Sequence, residues 1–269
     1  MKYKLIALDM DATLLNKEKI ITENTETALI KAQQKGVKVA IASGRMPFGV
    51  AKYAKQLQLE KFGGYCICFN GGLILDNNGE IIYKKYIDKK YLKIACKEVE
   101  DTDITVIVHR KDGLFGNRNT NGFTEIAPQT VNAPLTQVDN LPEYIDWNFH
   151  KILFVGELEK LKALREKLVN KYSDELEIVF SSPWFLEAMP KGVDKGSALK
   201  VICEKSGVDI SRAIACGDNF NDEPMLKVAG LSVVMSNGEE ELKKTADYVT
   251  IADCNNDGIK EVIDKFILL

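Results

Sequence analysis

The first third of the chain alternates short apolar runs with segments of helical periodicity. The apolar runs have the length of buried strands and lie at residues 4–8, 37–42 and 65–69. Between them, residues 24–35 place apolar side chains on one helical face and stop at Gly36, and a second helical pattern begins at Pro47 and ends near Leu57. Strands that alternate with helices predict a mostly parallel sheet with helices on both faces.

The alternation of predicted strands and helices is interrupted after Gly72 and resumes at Asp194. Residues 73–87 predict a hairpin around an Asp-Asn-Asn-Gly turn, whereas strict alternation resumes with helices at 194–206 and 259–266 and strands at 213–216 and 231–235. We therefore expect an α/β fold with a doubly wound, mostly parallel, Rossmann-like core formed by residues 1–87 and 190–269. An inserted α+β domain would span residues 88–189.

The inserted segment mixes element types. Its pattern predicts helices at 89–100 and 158–171, strands at 104–110 and 151–155, a turn at Asp112-Gly113, a polar Asn- and Gly-rich stretch at 116–122, and two strands around residues 181–183. It has the organisation of a self-contained module.

Composition and charge narrow the class of protein. Hydrophobic residues make up 45% and charged residues 28% of the 269, as in an ordinary soluble globular protein. A net charge of −3 provides no basic footprint for nucleic acid. The N-terminal apolar run ends at Asp9, too early for a signal peptide, and no segment approaches the about 20 apolar residues that span a bilayer. We expect a cytoplasmic protein, and the oligomeric state stays open.

The six cysteines are scattered and lie mostly within apolar runs. A zinc site would need further ligands nearby, and neither His109 nor His150 is suitably spaced. We expect reduced, structural thiols and no catalytic role for either histidine.

Polar residues follow three of the predicted strands. Asp9, Asp11 and Thr13 follow the first strand, and Ser43-Gly44-Arg45 follows the second. The segment Gly217-Asp218-Asn219-Phe220-Asn221-Asp222 follows the strand at 213–216. Because ligands of a parallel sheet collect outside the carboxyl ends of its strands, these side chains are candidates for one site.

Two nearby acids and a distant acidic loop can hold a hard cation such as Mg²⁺. A calcium loop of the EF-hand type is excluded, because Leu14 and Ile20 occupy the positions that require Gly and Glu. The simpler alternative is that Asp9 and Asp11 only cap the turn that follows them.

Two further segments are suited to an anion. Ser43-Gly44-Arg45 lies between a strand end and the helix that begins at Pro47, where unpaired N–H groups and the helix dipole favour negative charge. Lys195 lies in the first turn of a helix capped by Asp194, where a cation is unfavourable by about 0.3–1 kcal/mol unless an anion is near. Ordinary loop residues and a solvated lysine are the alternatives.

Together these segments resemble the motifs of the haloacid dehalogenase-like phosphatases, over essentially the whole chain. In motif order they are Asp9-x-Asp11-x-Thr13, Ser43-Gly44-Arg45, Lys195 and Gly217-Asp218-x-x-Asn221-Asp222. Their order and the Asn70-Gly71-Gly72 turn are similar to the Cof-type subfamily, which inserts a cap domain between the second and third motifs. Ala12 departs from the more frequent Gly. A methyl group is small, so we expect little effect, except on a contact that needs the freedom of Gly at positive φ.

The resemblance implies a role for each motif residue. Asp9 would attack phosphorus to give an aspartyl-phosphate, and Asp11 would be the general acid and base. Mg²⁺ would be held by Asp9, Asp11 through its backbone carbonyl, and Asp218. The implied phosphate- or substrate-binding residues are Met10, Ser43, Gly44, Arg45, Lys195, Asn221 and Glu187, and the supporting residues are Thr13, Asn221 and Asp222.

The implied reaction is Mg²⁺-dependent hydrolysis of a small phosphorylated metabolite, such as a sugar phosphate, a nucleotide or a phosphorylated cofactor. The inserted domain would act as a cap that selects the leaving group, with Glu187 and residues 116–122 as candidate contacts. Two alternatives stay open: a phosphomutase acting on a hexose phosphate, and a non-catalytic protein that binds a phosphate ligand.

Overall fold

The chain forms two compact units in a computed structural model that describes residues 2–110, 113–117, 122–131 and 134–269. One unit, here the core unit, consists of Met1–Lys84 and Asp194–Leu269. The other, the insert unit, is Lys85–Val193. The sequence pattern placed the two boundaries at 87/88 and 189/190.

The strands, in chain order, are β1 (Leu5–Asp9), β2 (Lys38–Ala42), β3 (Tyr65–Cys68), β4 (Leu73–Leu75), β5 (Ile81–Lys84), β6 (Thr105–Arg110), β7 (Gly113–Asn117), β8 (Leu135–Val138), β9 (Ile152–Val155), β10 (Leu176–Ser182), β11 (Phe185–Pro190), β12 (Ala213–Gly217), β13 (Leu231–Val234) and β14 (Tyr248–Val249). The helices are α1 (Glu23–Gln34), α2 (Pro47–Gln56), α3 (Leu59–Phe62), α4 (Lys90–Glu98), α5 (Ile126–Val131), α6 (Leu141–Tyr144), α7 (Leu158–Tyr172), α8 (Lys195–Ser206), α9 (Glu223–Val228), α10 (Glu240–Lys243) and α11 (Gly258–Ile263).

The core unit is built on an eight-stranded sheet with the order β14-β13-β12-β1-β2-β3-β4-β5. The strands from β14 to β3 are parallel, and β4 and β5 add an antiparallel edge. Both faces are covered. Ile6 and Leu8 of β1 pack into one hydrophobic cluster and Leu5 and Ala7 into another, so this central strand is fully buried.

Helix α1 illustrates how local sequence sets these elements. Its N-cap Thr22 accepts a hydrogen bond from the backbone N–H of Thr25, and its C-terminus is followed by Gly36 at φ 85°. Its buried face includes Ala28 and Leu29, at the spacing that the sequence pattern predicted.

The insert unit has a six-stranded sheet in the order β10-β11-β9-β6-β7-β8, antiparallel except for the β7–β8 pair. Successive side chains of β6 pack on opposite faces of this sheet. Val106 and Val108 join the cluster that includes side chains of α4 and α7, whereas Ile107 joins a smaller cluster with Leu153 and Ala127.

The predicted α/β class with a mostly parallel core sheet is confirmed, and differences lie in short or terminal elements. Gly116 and Asn117, predicted to begin a polar loop, instead belong to β7, where Gly116 pairs with β6 and β8 and Asn117 pairs with β8. The rest of that stretch at 118–121, and the predicted turn residue Asp112, lie outside the described residues. The closing helix, predicted at 259–266, changes to π-helical geometry at Asp264–Leu268.

The cysteines are all free thiols, and five of the six are buried. Burial raises the pKa of Cys66 to about 12 and that of Cys203 to about 11. Both observations agree with the prediction of structural thiols. Among the described residues, no helix has the length and apolarity needed to cross a membrane.

Candidate active site

Asp9 and Lys195 form the centre of the site. Asp9 is the last residue of β1 and is 7% exposed, and Lys195 is the fully buried first residue of α8. The Lys195 ammonium donates to Asp9 Oδ1 at 2.5 Å and to Asp222 Oδ1 at 2.6 Å. Two carboxylates therefore offset the unfavourable position of this cation at a helix N-terminus.

The N-terminus of α8 is held in place by a capping box. The backbone N–H of Ser197 donates to the Asp194 side chain at 2.7 Å, and the Asp194 N–H donates to Ser197 Oγ at 3.2 Å. Close packing continues at Gly196, where an added Cβ would lie 2.3 Å from the carbonyl oxygen of Pro224. The residues directly before and after Lys195 are thus held in place, which fixes the position of the Lys195 backbone.

Asp222 is oriented by the loop that follows β12. Its Oδ2 accepts the backbone N–H groups of Asp218 at 3.0 Å and Asn219 at 3.2 Å. The side chain folds back over Gly217, where an added Cβ would lie 2.4 Å from the Asp222 Cβ. Both carboxylate oxygens of Asp222 are therefore engaged, one by the backbone and one by Lys195.

Asp218 completes a cluster of three carboxylates. Thr13 Oγ1 donates to Asp218 Oδ1 at 2.8 Å, which links the turn after β1 to the loop after β12. One carboxylate oxygen from each of Asp9, Asp218 and Asp222 lies within 4.8 Å of the others. Hard oxygen donors at this separation are the ligand type of Mg²⁺.

The cluster carries more negative charge than Lys195 neutralises. Burial, together with the charges of Asp222 and Asp218, raises the pKa of Asp9 well above its ordinary value despite the opposing charge of Lys195. Burial and the charge of Asp222 raise the pKa of Asp218 to about 6. Although burial opposes it, the attraction of Asp222 and Asp9 raises the pKa of Lys195. A divalent cation would relieve this excess of negative charge.

Asp11 points to a different set of partners. Arg45 donates to it twice, from Nε to Oδ2 at 3.0 Å and from Nη2 to Oδ1 at 2.6 Å, and Lys19 Nζ donates to Oδ1 at 2.6 Å. Burial alone would raise the pKa of Asp11, but these hydrogen bonds and charges outweigh it and lower the pKa. In this arrangement Asp11 is an ionised carboxylate, and Arg45 is engaged by Asp11.

Ser43 and Gly44 form a tight loop between β2 and α2. The backbone N–H of Ser43 donates to the carbonyl oxygen of Ile67 at 2.9 Å, and Ser43 Oγ accepts the N–H of Arg45 at 3.1 Å. The Ser43 side chain is buried, and its hydroxyl proton can still be donated to an anion. Pro47 begins α2 two residues after Arg45.

Three predicted site residues have other surroundings. The Met10 side chain is buried in the hydrophobic core, so only its backbone could contact a ligand. Asn221 is half-buried in the turn that also carries Asp222. Glu187 belongs to the insert unit, where its Oε1 accepts from Lys151 Nζ at 2.7 Å and from Ser181 Oγ at 2.9 Å.

Sequence reasoning missed two residues that contact the turn after β1. Lys19 gave no signal, because a single lysine in a short polar loop has no pattern. Asn237 donates to the carbonyl oxygen of Ala12 at 2.8 Å, and Ala12 has φ 62°. Asn237 follows β13, so the rule that identified the other strand ends would also have identified it.

A model of the haloacid dehalogenase-like hydrolase family matches residues 6–263. The chain belongs to this family. The match spans both units and all four motifs, so the sequence-based expectation of a haloacid dehalogenase-like, Cof-type hydrolase is confirmed.

The similarity to known relatives extends over nearly the full length of this chain and of each relative. A Streptococcus pyogenes serotype M6 protein with a provisional phosphatase name is 37% identical over 273 residues, covering 100% of each chain. The 5-amino-6-(5-phospho-D-ribitylamino)uracil phosphatase of Bacillus subtilis is 34% identical, covering 98% of this chain and 96% of its own. A haloacid dehalogenase-like hydrolase from Bacteroides thetaiotaomicron superposes with a TM-score of 0.88 at 29% identity, covering 98% of this chain and 99% of its own. The family and these names agree with a phosphoric monoester hydrolase.

Proposed function

We propose that this protein is a Mg²⁺-dependent phosphatase in which Asp9 attacks the phosphorus of a small phosphate ester. The observation that carries the proposal is the buried contact between Asp9 and Lys195 at the carboxyl end of the central strand. A carboxylate there can act as a nucleophile, and a fixed cation beside it can stabilise a phosphoryl group.

The donor set fits Mg²⁺. Because both oxygens of Asp222 are engaged, Asp9 and Asp218 remain as the direct carboxylate ligands, together with the backbone carbonyl of Asp11. When bound, the ion would shield the negative charge between the nucleophile and the phosphoryl group. Asp222 would contribute by holding Lys195 in place, which supports a positioning role.

The chain's own residues divide the reaction into two steps. Asp9 forms a bond to phosphorus as the ester oxygen leaves, and Asp11 gives that oxygen its proton. Asp11 then takes a proton from the water that cleaves the aspartyl-phosphate, which releases phosphate and regenerates Asp9. The ionised state favoured by Arg45 and Lys19 suits the second step. For the first step, these cations must shift part of their interaction to the phosphoryl group.

We assign the phosphoryl oxygens to Lys195, Ser43 and the backbone of Gly44. The hydroxyl and N–H groups in front of α2 are donors, and the helix N-terminus adds positive potential. Arg45 would join them when it leaves Asp11.

The substrate class we propose is a small phosphorylated metabolite. The Bacillus subtilis relative carries the name of a phosphatase for a phosphorylated cofactor precursor, which supports such a substrate at the level of class. The insert unit would select the leaving group, and Glu187 with its partner Lys151 is the candidate contact.

Hydrolysis of p-nitrophenyl phosphate tests the proposal. We expect turnover with Mg²⁺, its loss in excess EDTA and recovery on adding Mg²⁺ back. Asp9→Asn should lower kcat by at least about 10³-fold, because the nucleophile is removed. Asp209→Asn is the matched control, since Asp209 is a capping residue of the same unit whose side chain accepts hydrogen bonds from Ser211.

Full activity of Asp9→Asn, or of the metal-stripped enzyme, would refute the mechanism. Conversion of a hexose 1-phosphate to the 6-phosphate without phosphate release would instead identify a phosphomutase. Binding of phosphate esters without turnover across a broad panel would identify a non-catalytic protein.

A further inference from the structure

A run of left-handed backbone connects β3 to β4 in the core unit. Phe69 has φ 51°, Asn70 has φ 53° and Gly71 has φ 110°. This conformation is unusual for a bulky aromatic residue, tolerable for Asn and easy for Gly. Phe69 and Asn70 are both buried, so the surrounding structure must hold them in this state.

The run is bonded on one side to the Ser43–Arg45 loop. The N–H of Asn70 donates to the carbonyl oxygen of Ser43 at 3.0 Å, and the N–H of Phe69 donates to that of Arg45 at 3.0 Å. The Asn70 amide lies against Gly44, where an added Cβ would be 3.1 Å from Asn70 Oδ1. The left-handed residues therefore set the path of the loop that we assign to phosphate.

On its other side the run contacts the start of α8. A Cβ at Gly71 would lie 2.4 Å from the carbonyl oxygen of Asp194 and 3.3 Å from the Ala198 side chain. Asp194 is the residue before Lys195 and the N-cap of its helix. Residues 69–71 thus touch both the Ser43–Arg45 loop and the helix turn that carries Lys195.

We propose that Phe69-Asn70-Gly71 is a positioning segment for the phosphoryl group, with the left-handed backbone at Asn70 as its determining feature. The segment sets the distance between the Ser43–Arg45 loop and Lys195. That distance in turn determines the affinity of the site for a tetrahedral or trigonal-bipyramidal phosphorus oxyanion. The inference rests on the proposed phosphatase function. None of the three side chains is required to touch the substrate.

Calorimetric titration with orthovanadate in saturating Mg²⁺ tests this role. Asn70→Ala opposes the left-handed conformation, and we expect its dissociation constant to rise about tenfold, because small displacements of oriented groups weaken binding strongly. Asn70→Gly keeps the conformation accessible and should recover most of that affinity. If Asn70→Ala does not fold, Asn70→Ser, a milder change, replaces it in the comparison with Asn70→Gly.

Gln58→Ala is the matched control. Gln58 also has left-handed backbone, at φ 53°, but it caps α3 and its backbone bonds go to Lys55, Lys61 and Phe62. We expect it to lower the thermal unfolding temperature as Asn70→Ala does, while orthovanadate binding stays at the wild-type level. This control separates general strain from positioning of the phosphate loop.

Equal losses in Asn70→Ala and Asn70→Gly would overturn the inference, as would orthovanadate binding by Asn70→Ala within about twofold of wild type. The titration does not depend on turnover. Wild-type protein that binds orthovanadate but hydrolyses no ester would therefore refute the proposed function, while the Asn70 series would still decide the positioning role.

Discussion

The side chain of Asn237 holds the carbonyl oxygen of Ala12 at 2.8 Å, and Ala12 is in the left-handed region at φ 62°. The amide orientation of Asn237 is determined by its partners, since its Oδ1 accepts the backbone N–H of Cys254 at 3.0 Å. The same loop reaches the loop after β12, because the N–H of Glu239 donates to the carbonyl oxygen of Asp218 at 2.9 Å. The loop after β13 therefore connects the turn after β1 to Asp218.

Ala12→Gly should stabilise the protein. An L-residue in left-handed backbone costs about 1–2 kcal/mol, and Gly gives back about 0.4–1 kcal/mol through the greater entropy of the unfolded chain. We expect a net gain of about 0.5–1 kcal/mol in the free energy of unfolding, measured by urea denaturation. A destabilised Ala12→Gly variant would show that the turn is not strained.

Asn237→Ala should slow turnover more in the wild-type background, which has Ala12, than in the Ala12→Gly background. Without the amide, the strained turn has one hydrogen bond fewer, worth about 0.5–1.5 kcal/mol, to hold it in place. Comparison of kcat for wild type, the two single variants and the double variant Ala12→Gly/Asn237→Ala measures the coupling. Additive effects would mean that Asn237 acts independently of the left-handed turn.

Asp218 gives the metal-free protein a pH-dependent stability. Its folded-state pKa of about 6 lies above the ordinary 3.8, so protonation favours the folded state. That contribution is complete below the ordinary pKa and disappears as the pH rises through 6. Relative to Asp218→Asn, the wild type should lose about 1 kcal/mol of unfolding free energy between pH 5 and pH 7 in EDTA.

Mg²⁺ at the proposed site should reverse this trend, because the ion would take the place of the proton among the carboxylates. The increase in thermal unfolding temperature on adding Mg²⁺ should be larger at pH 7.5 than at pH 5.5. Asp218→Asn is the control, because it lacks the titrating carboxyl group of Asp218 but retains an oxygen acceptor for Thr13. An increase that is independent of pH would contradict the raised pKa.

The motifs were predictable because strand ends gather in a parallel sheet. Asp9, Ser43 and Asp218 each follow an apolar run whose neighbour in the sheet is parallel, so their proximity needed no knowledge of side-chain contacts. The contacts of Asp11 were not predictable, since they depend on the path of a polar loop. Lys19 reaches Asp11 because the chain turns at φ 58°, and nothing in the local sequence requires that turn.

Short elements escaped prediction for a related reason. Strand β14 has two residues and helix α10 has four, which is about one period of a strand or helix and too short for a recognisable pattern. Their positions are determined by the sheet to which they attach. The insert unit shows the same effect at β7. Gly116 and Asn117 have loop-like composition, but Gly116 pairs with strands on both sides and Asn117 pairs with β8.

Removing the Lys195 cation should destabilise the protein strongly. Lys195→Met leaves Asp9 and Asp222 as buried neighbouring carboxylates without a cation, and loss of one partner of a buried ion pair costs about 3–5 kcal/mol. Adding Asp222→Asn should recover part of the unfolding free energy, measured by urea denaturation, because one of the two charges is gone. Activity on p-nitrophenyl phosphate should not return in the double variant. Recovery of both would mean that Lys195 acts only in folding.

Lys19 should tune Asp11, the proposed acid–base residue. The cation donates to Asp11 Oδ1 and lowers the pKa of Asp11 together with Arg45, so Lys19→Met should raise that pKa. A general acid must be protonated to act, and a higher pKa keeps it protonated to a higher pH. The alkaline limb of kcat/KM for p-nitrophenyl phosphate should therefore move upward, by a few tenths of a unit to about one unit, given the exposure of Lys19.

Lys17→Met is the control for this shift, because it removes the same charge from an exposed position in the same loop, where the Lys17 backbone N–H bonds to Asn255. Its profile should match the wild type, since its charge is not paired with Asp11. An equal shift in both variants would assign the effect to the general field of the loop, and no shift in Lys19→Met would mean that the limb reports another group. If only Lys19→Met moves the limb, the ion pair at 2.6 Å sets the proton affinity of Asp11 during turnover.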